Sequence, residues 1–354
     1  MSESEYRVAP LPRSFNQEKG TRMRVAVIGA GSWGTALALV LAEAGHEVML
    51  WARTPEVAAS INAENRNPRY LSDYRLPAAI RATSVYAEAC EGAEAMVIVT
   101  PSAALRGVAR DLAALIGPDT PIVICSKGVE EATGLLPIDT FADELGNPDR
   151  FAVLSGPTHA EEVICRKPSA AVVASASEAT ALFFRDLFAT RFFRTYTSDD
   201  AVGVELCAAF KNVIAIAVGI SYGMGFGDNT AALLITRGLA EMSRMVVAAG
   251  GEAITCMGLG GAGDMVVTCM SQHSRNRRFG EQYVARGLTL ADFTAQTHMV
   301  VEGAIACKTL ATLEARYGVE LPLTDTVRSV VWEGVNPRDA AAALIDRPLK
   351  SEFY

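Results

Sequence analysis

Arg24-Val-Ala-Val-Ile-Gly-Ala-Gly-Ser-Trp-Gly-Thr35 runs from a β-branched apolar stretch straight into a glycine-rich turn. Arg24–Ile28 (RVAVI) is short, apolar and closed by a glycine, which is the pattern of a buried strand. Thr35–Ala44 (TALALVLAEA) is rich in helix formers and stops at Gly45, a residue suited to a helix C-cap. Glu47–Trp51 (EVMLW) then supplies a second strand. A β-α-β unit of this length implies a parallel pair joined by a right-handed crossover. In that setting the three glycines have separate duties. Gly29 permits the tight turn, Gly31 lets the backbone approach a pyrophosphate, and Gly34 lets helix and strand pack closely. The helix N-terminus then faces the phosphates of a dinucleotide. The same G-x-G-x-x-G spacing recurs at Gly258–Gly263, where no strand precedes it, so that copy is not read as a dinucleotide loop.

Working outward, more strand segments follow: Ala95–Thr100 (AMVIVT), Ile122–Ser126 (IVICS), Ala152–Ser155 (AVLS) and Ala170–Ala174 (AAVVA). Helical segments such as Ala103–Ile116 separate the earlier ones, and Phe192–Thr197 (FFRTYT) suits a last strand of the same domain. The expected fold is α/β: an N-terminal Rossmann-type, doubly wound sheet domain over residues 23–198. Beyond Ser198 the strand pattern almost disappears, and Ala/Leu/Met/Val-rich segments dominate at 201–220, 230–249, 300–317 and 324–333. Residues 199–354 are therefore expected to form an all-α C-terminal domain that carries substrate binding and catalysis. Residues 1–22 are polar and lack the apolar stretch of a signal peptide, so a disordered extension is expected. Ala201–Ile220 is the most membrane-like stretch, but Glu205, Lys211 and Asn212 interrupt it. Charge there is costly in lipid, so a buried helix and no membrane span are expected.

The 354 residues carry a formal net charge of -8 without a long basic run, which argues against nucleic acid as the main partner. A small anionic substrate stays compatible, because a few cations in one cleft act locally. The seven cysteines form no C-x-x-C pair and sit mostly in apolar segments, which suits reduced, buried thiols in a cytoplasmic protein. The four histidines show no metal-ligand spacing, so no metal site is expected.

Several positions carry chemistry. The second strand ends Leu50-Trp51-Ala52-Arg53, where an acidic residue would select NAD and an arginine can take a 2′-phosphate. Arg53 favours NADPH over NADH without excluding either, and a solvated loop arginine is the plainer alternative. Ser126-Lys127-Gly128 and Ser155-Gly156-Pro157-Thr158 each follow a strand, at the sheet edge where ligands bind. Lys211 lies among apolar residues, where a lysine must snorkel, pair or function. Desolvation lowers its pKa and suits it to proton transfer. Asp264 follows the second glycine run, and Ser274-Arg275-Asn276-Arg277-Arg278 offers the guanidinium and hydroxyl groups that a phosphoryl group takes.

From Met23 onward the ordered blocks VIGAGSWGTALA, Ser126-Lys127-Gly128, SGPTHAEEV, FKNVIAIAVGISYGMGFGDN, LITRGLAEM, GLGGAGDMVVTC, SRNRRFG and VVEG cover nearly the whole chain. In these blocks the chain resembles the bacterial NAD(P)-dependent sn-glycerol-3-phosphate dehydrogenase family. The resemblance implies hydride transfer between NADPH or NADH and dihydroxyacetone phosphate, a small phosphorylated three-carbon substrate. The product, sn-glycerol 3-phosphate, is a precursor for glycerophospholipid synthesis. Lys211 would be the proton donor and acceptor, with Lys127 adding electrostatic stabilisation. Lys127, Gly156, Thr158, Lys211, Asp264, Ser274, Arg275 and Asn276 would contact the substrate. Ser32, Trp33, Arg53, Lys127, Ala160, Arg275, Val300 and Glu302 would contact the cofactor beside Gly29, Gly31 and Gly34. The family also implies a homodimer. His159 stands where many relatives carry phenylalanine, and is read as a neighbour of the site. A β-hydroxyacid dehydrogenase, which pairs similar domains, would instead take a carboxylate substrate. A non-catalytic NAD(P)H sensor would not need Lys127, Lys211 and Asp264 together with the Arg/Ser/Asn cluster.

Overall fold

The computed structural model describes residues 21–297, 300–348 and 351–352. The expected extension 1–22 lies outside the described residues except for Thr21 and Arg22, and Arg22 pairs with Glu47 at 2.7 Å.

Alternation within Arg24–Ile28 (β1) explains how both sides of the sheet are covered. Val25 and Val27 join an apolar cluster with Leu37 and Leu41 of the helix Ser32–Glu43. Ala26 and Ile28 join a separate cluster with Leu112 and Phe141 on the opposite face. Successive strand side chains point to opposite faces, so a strand covered on both must be apolar throughout.

The remaining strands are β2 (Glu47–Trp51), β3 (Ile80–Thr83), β4 (Ala95–Ile98), β5 (Ile122–Ile124), β6 (Phe151–Ser155), β7 (Ser169–Ala174) and β8 (Phe193–Ser198). They form one sheet in the order β3-β2-β1-β4-β5-β6-β7-β8. β1 to β6 are parallel, so the strand order switches direction between β1 and β4, the crevice where such folds bind ligands.

Among the elements that the sequence reading did not name are the helix Pro55–Glu64 and β3. β3 has four residues and an exposed Arg81, too little pattern to stand out. A further departure from the doubly wound expectation is β7, which is antiparallel to β6. The connection 156–168 contains only the four-residue helix Ala160–Val163, which cannot carry the chain back to the far end of the sheet. The chain therefore reverses beside β6, and β8 then runs parallel to β7.

Helices follow β8. Ala201–Gly223 is buried from Gly203 to Ser221 and is the axis of a helical cluster with Asp228–Ala248, Arg275–Arg286 and Glu302–Tyr317. It is long and apolar enough to cross a membrane, yet 89% of its apolar window is buried inside the protein. Asp200 secures its start, accepting hydrogen bonds from Gly203 N, Glu252 N and Thr255 Oγ1 at 2.7, 2.9 and 2.6 Å. Glycines let the helix Arg275–Arg286 come very close: a Cβ at Gly219 would lie 2.1 Å from the Arg277 oxygen. Six of the seven cysteines are buried, but Cys165 is exposed, contrary to expectation. It sits in a turn after Ala160–Val163 and its thiol meets the Tyr74 hydroxyl at 3.1 Å.

Candidate active site

The turn after β1 is built as the glycine spacing requires. Gly29 has φ +125°, and a Cβ there would lie 2.6 Å from the Val99 oxygen at the end of β4. A Cβ at Gly34 would meet the Gly29 oxygen at 1.8 Å, so the helix and the turn after β1 touch backbone to backbone. Gly31 differs: a Cβ there would meet nothing within 4 Å, which leaves open space in front of the turn. Gly31 also caps the helix Ser32–Glu43 without a side-chain bond, so the first N–H groups stay available to an anion. Beside it, half-buried Trp33 has its indole N–H buried without a partner among the described residues. Arg53 is exposed just beyond β2 and forms no ion pair with a described residue. Open cradle, free N–H groups and a nearby cation together fit a phosphorylated dinucleotide.

From this turn a short relay of contacts reaches the lysines. Thr100 follows Val99, and its carbonyl accepts a hydrogen bond from Ser126 Oγ at 2.5 Å. Lys127 comes next, past the end of β5. Its Nζ donates to Asp264 Oδ2 at 2.7 Å, while Lys211 Nζ donates to Asp264 Oδ1 at 2.5 Å. Asp264 begins the helix Asp264–Met270 directly after the glycine run, and no strand precedes that run. One turn on, Thr268 Oγ1 accepts from Lys211 Nζ at 3.1 Å and donates to the Asp264 carbonyl at 2.6 Å. Ser155 at the end of β6 donates to Asp264 Oδ2 at 3.3 Å.

Electrostatics separate the two lysines. Burial lowers the pKa of Lys211, Asp264 raises it, and Lys127 lowers it again, leaving it at about 8. For Lys127 burial also lowers the pKa, but Asp264 outweighs it and the group is held above its ordinary value. Burial works against the Asp264 carboxylate, yet the two lysines prevail and its pKa is lowered. One ammonium therefore stays charged near neutral pH while the other can exchange a proton.

A second cluster adjoins the first through consecutive residues of one helix. Asn212 Nδ2 donates to Glu302 Oε2 at 3.1 Å, and Asn276 Nδ2 donates to Asn212 Oδ1 at 2.9 Å. Asn276 Oδ1 accepts from Gly303 N at 2.9 Å, which fixes the start of Glu302–Tyr317. Ser274 is the N-cap of Arg275–Arg286: its Oγ accepts from Arg277 N, leaving its own hydroxyl hydrogen for another acceptor. Arg275 is half-buried and makes no ion pair with a described residue, unlike Arg277, which pairs with Glu281 at 2.9 Å.

The sequence candidates thus fall into groups. Lys127, Lys211 and Asp264 meet directly, and Asn276 and Glu302 meet through Asn212. Gly156 follows β6, its backbone pressed against Ala170 and Ala171, and Thr158 Oγ1 donates to its carbonyl at 3.1 Å. Ala160 opens the short helix beyond. Val300 is half exposed, and neither it nor Arg53 is hydrogen-bonded to either cluster. His159 Nε2 lies 3.4 Å from the Val267 oxygen, and burial with the Lys211 charge pushes its pKa down, as befits a neighbour. The sequence reading missed Thr268, and named Ser155 only as part of the turn that follows its strand. Thr268 had one available signal, its i+4 spacing from Asp264 on a helix.

Comparisons with known proteins identify the family. Residues 24–181 match the family model described as NAD-dependent glycerol-3-phosphate dehydrogenase N-terminus, and residues 200–342 match its C-terminus. The chain belongs to this family. Among curated members, the NAD(P)+ glycerol-3-phosphate dehydrogenase of Streptomyces griseus is 47% identical over 331 residues, covering 93% of this chain and 98% of the relative. The corresponding protein of Frankia casuarinae is 46% identical over the same length, with the same coverage. Among solved structures, glycerol-3-phosphate dehydrogenase from Coxiella burnetii superposes with a TM-score of 0.88 at 38% identity, covering 92% of this chain and 99% of that one. Glycerol-3-phosphate dehydrogenases of this family thus match both the sheet half and the helical half of the chain.

Proposed function

We propose that this enzyme transfers hydride reversibly between NAD(P)H and dihydroxyacetone phosphate, giving sn-glycerol 3-phosphate. The observation that carries the reading is the cluster of buried Asp264 and Lys211 with half-buried Lys127 at the carboxyl edge of a dinucleotide-binding sheet. The nicotinamide, when bound, supplies or accepts the hydride. Protonated Lys211 donates to the C2 oxygen of the substrate as negative charge develops there, and in reverse it takes the hydroxyl proton. Lys127, held charged by Asp264, stabilises the same oxygen electrostatically. Asp264 and Thr268 fix the Lys211 ammonium, so little reorganisation is needed at the moment of transfer. Arg275, which has no ion pair among the described residues, grips the phosphate with Ser274 and Asn276, and that binding energy places the reacting carbon. Gly156 and Thr158 line the substrate side of the same edge. On the cofactor side, Gly29, Gly31, Ser32, Trp33, Gly34 and Ala160 receive the dinucleotide, with Val300 and Glu302 closing over it. Arg53 favours NADPH by accommodating the 2′-phosphate. The same family reading carries a homodimer working in the cytoplasm and supplying the precursor for glycerophospholipid synthesis.

The test is oxidation of NADPH and NADH, followed by the absorbance of the reduced nicotinamide, with dihydroxyacetone phosphate against three-carbon oxo-acids. Turnover is expected with the phosphorylated ketone, faster with NADPH. Preference for a carboxylate substrate would replace this reading with that of a hydroxyacid dehydrogenase. Arg275→Ala should raise KM for dihydroxyacetone phosphate about 10- to 100-fold, the loss of a charged hydrogen-bonded contact. The slow reduction of unphosphorylated dihydroxyacetone at saturating NADPH should fall much less. An unchanged KM for the phosphorylated substrate contradicts the role.

A further inference from the structure

Asn67 is completely buried, although its neighbours Arg66, Pro68, Arg69 and Tyr70 are all exposed. It lies in the irregular segment between the helix Pro55–Glu64 and β3, far along the chain from the glycine turn. Its Nδ2 donates to the Ala30 carbonyl and to Thr35 Oγ1, both at 2.9 Å. Its Oδ1 accepts from Arg69 N at 3.1 Å and Tyr70 N at 3.2 Å. A side-chain amide has two N–H donors and an oxygen with two lone pairs, so all of its hydrogen-bonding capacity is used. Such a network in a dry interior specifies one arrangement, because breaking any member strands a buried polar group.

What it holds matters more than that it is held. Ala30 lies between Gly29 and Gly31, and Thr35 is in the first turn of Ser32–Glu43. Close backbone packing holds Gly29 and Gly34, but glycines flank Ala30 and no side chain caps the helix, so the Ala30 carbonyl is where a side chain can add a constraint. We infer that Asn67 is a positioning residue for the cofactor's pyrophosphate, acting through the Ala30 carbonyl and Thr35. By holding that carbonyl on the protein side of the turn, it leaves the Gly31 side and the helix N–H groups facing the anion. The two acceptor bonds tie the Arg69–Tyr70 backbone to the same point, so the loop and the phosphate turn form one unit. The inference rests on Gly29–Gly34 being the dinucleotide site.

The experiment titrates NADPH into the wild-type chain, Asn67→Ala, Thr35→Val and the double variant, following the quenching of tryptophan fluorescence. Adenosine diphosphate ribose, which keeps the pyrophosphate, and adenosine 2′-monophosphate, which lacks it, are titrated as competitors. Asn67→Ala should weaken NADPH and adenosine diphosphate ribose about 10-fold, the effect of stranding a buried polar group. Adenosine 2′-monophosphate should be unaffected. Thr35→Val removes one bond at nearly constant shape and should weaken the same two ligands about 3-fold, even if Asn67→Ala fails to fold. The double variant should lose little beyond Asn67→Ala, because the threonine acts through the asparagine. Equal weakening of all three ligands marks a merely structural role and overturns the inference, as does unchanged pyrophosphate binding in both single variants. A wild-type chain whose bound NADPH is not displaced by adenosine diphosphate ribose overturns the dinucleotide reading and this inference with it.

Discussion

Lys211→Met should cut turnover about 100- to 10,000-fold, the usual contribution of a positioned general acid, while NADPH still binds. Methionine is unbranched and suits the apolar neighbours of this buried helix, and Asp264 keeps Lys127 as its partner, so the fold has reason to survive. The wild-type pH dependence should report the same group. With the Lys211 pKa lowered to about 8, reduction needs the protonated amine, so its kcat falls as pH rises through that value. Oxidation of sn-glycerol 3-phosphate needs the neutral amine, so its kcat rises over the same interval. Opposite limbs in the two directions, both lost in Lys211→Met, identify the lysine. Wild-type-like kcat in the variant would sink the role.

Asp264→Asn should cost about 3–5 kcal/mol of stability, because it leaves the buried Lys211 and half-buried Lys127 ammonium groups without their counter-charge. The asparagine keeps the shape but not the charge between Lys127 and Lys211. Its pH dependence has a definite sign. In the wild type the depressed Asp264 pKa contributes stability above the ordinary carboxylate range, and that is lost as pH falls through the lowered value. The raised Lys127 pKa contributes stability below the ordinary lysine value of about 10.4, lost as pH rises past its folded pKa. Without Asp264 both lysines fall below the unfolded value, so the unfolded chain binds more protons and the variant gains stability as pH rises. Urea midpoints for both proteins near neutral pH and in the alkaline range would show it. A variant as stable as the wild type at both contradicts the account.

Much of this was legible because it is local. β1, its glycine turn and the following helix are written within about a dozen residues, where strand period, glycine placement and helix propensity agree. Lys211 stood out because a charge among apolar neighbours has few benign explanations. β3 and Pro55–Glu64 were missed because a four-residue strand and a weakly apolar helix carry little pattern. The exposure of Cys165 was likewise decided by a turn that composition does not encode.

The sequence by itself determined a dinucleotide turn at the end of a parallel strand, a helical second half and the residue types proposed to hold a phosphate. Those properties follow from side-chain periodicity and backbone freedom, which act over a turn or a strand. Only the tertiary structure decided that Asp264 serves two lysines, 137 and 53 residues away, and that Asn212 joins Asn276 to Glu302. Nothing in a linear pattern fixes such pairs, because they arise where the end of a sheet meets the middle of a buried helix. The reversal of β7 belongs with them, being set by how a short connection closes against β6.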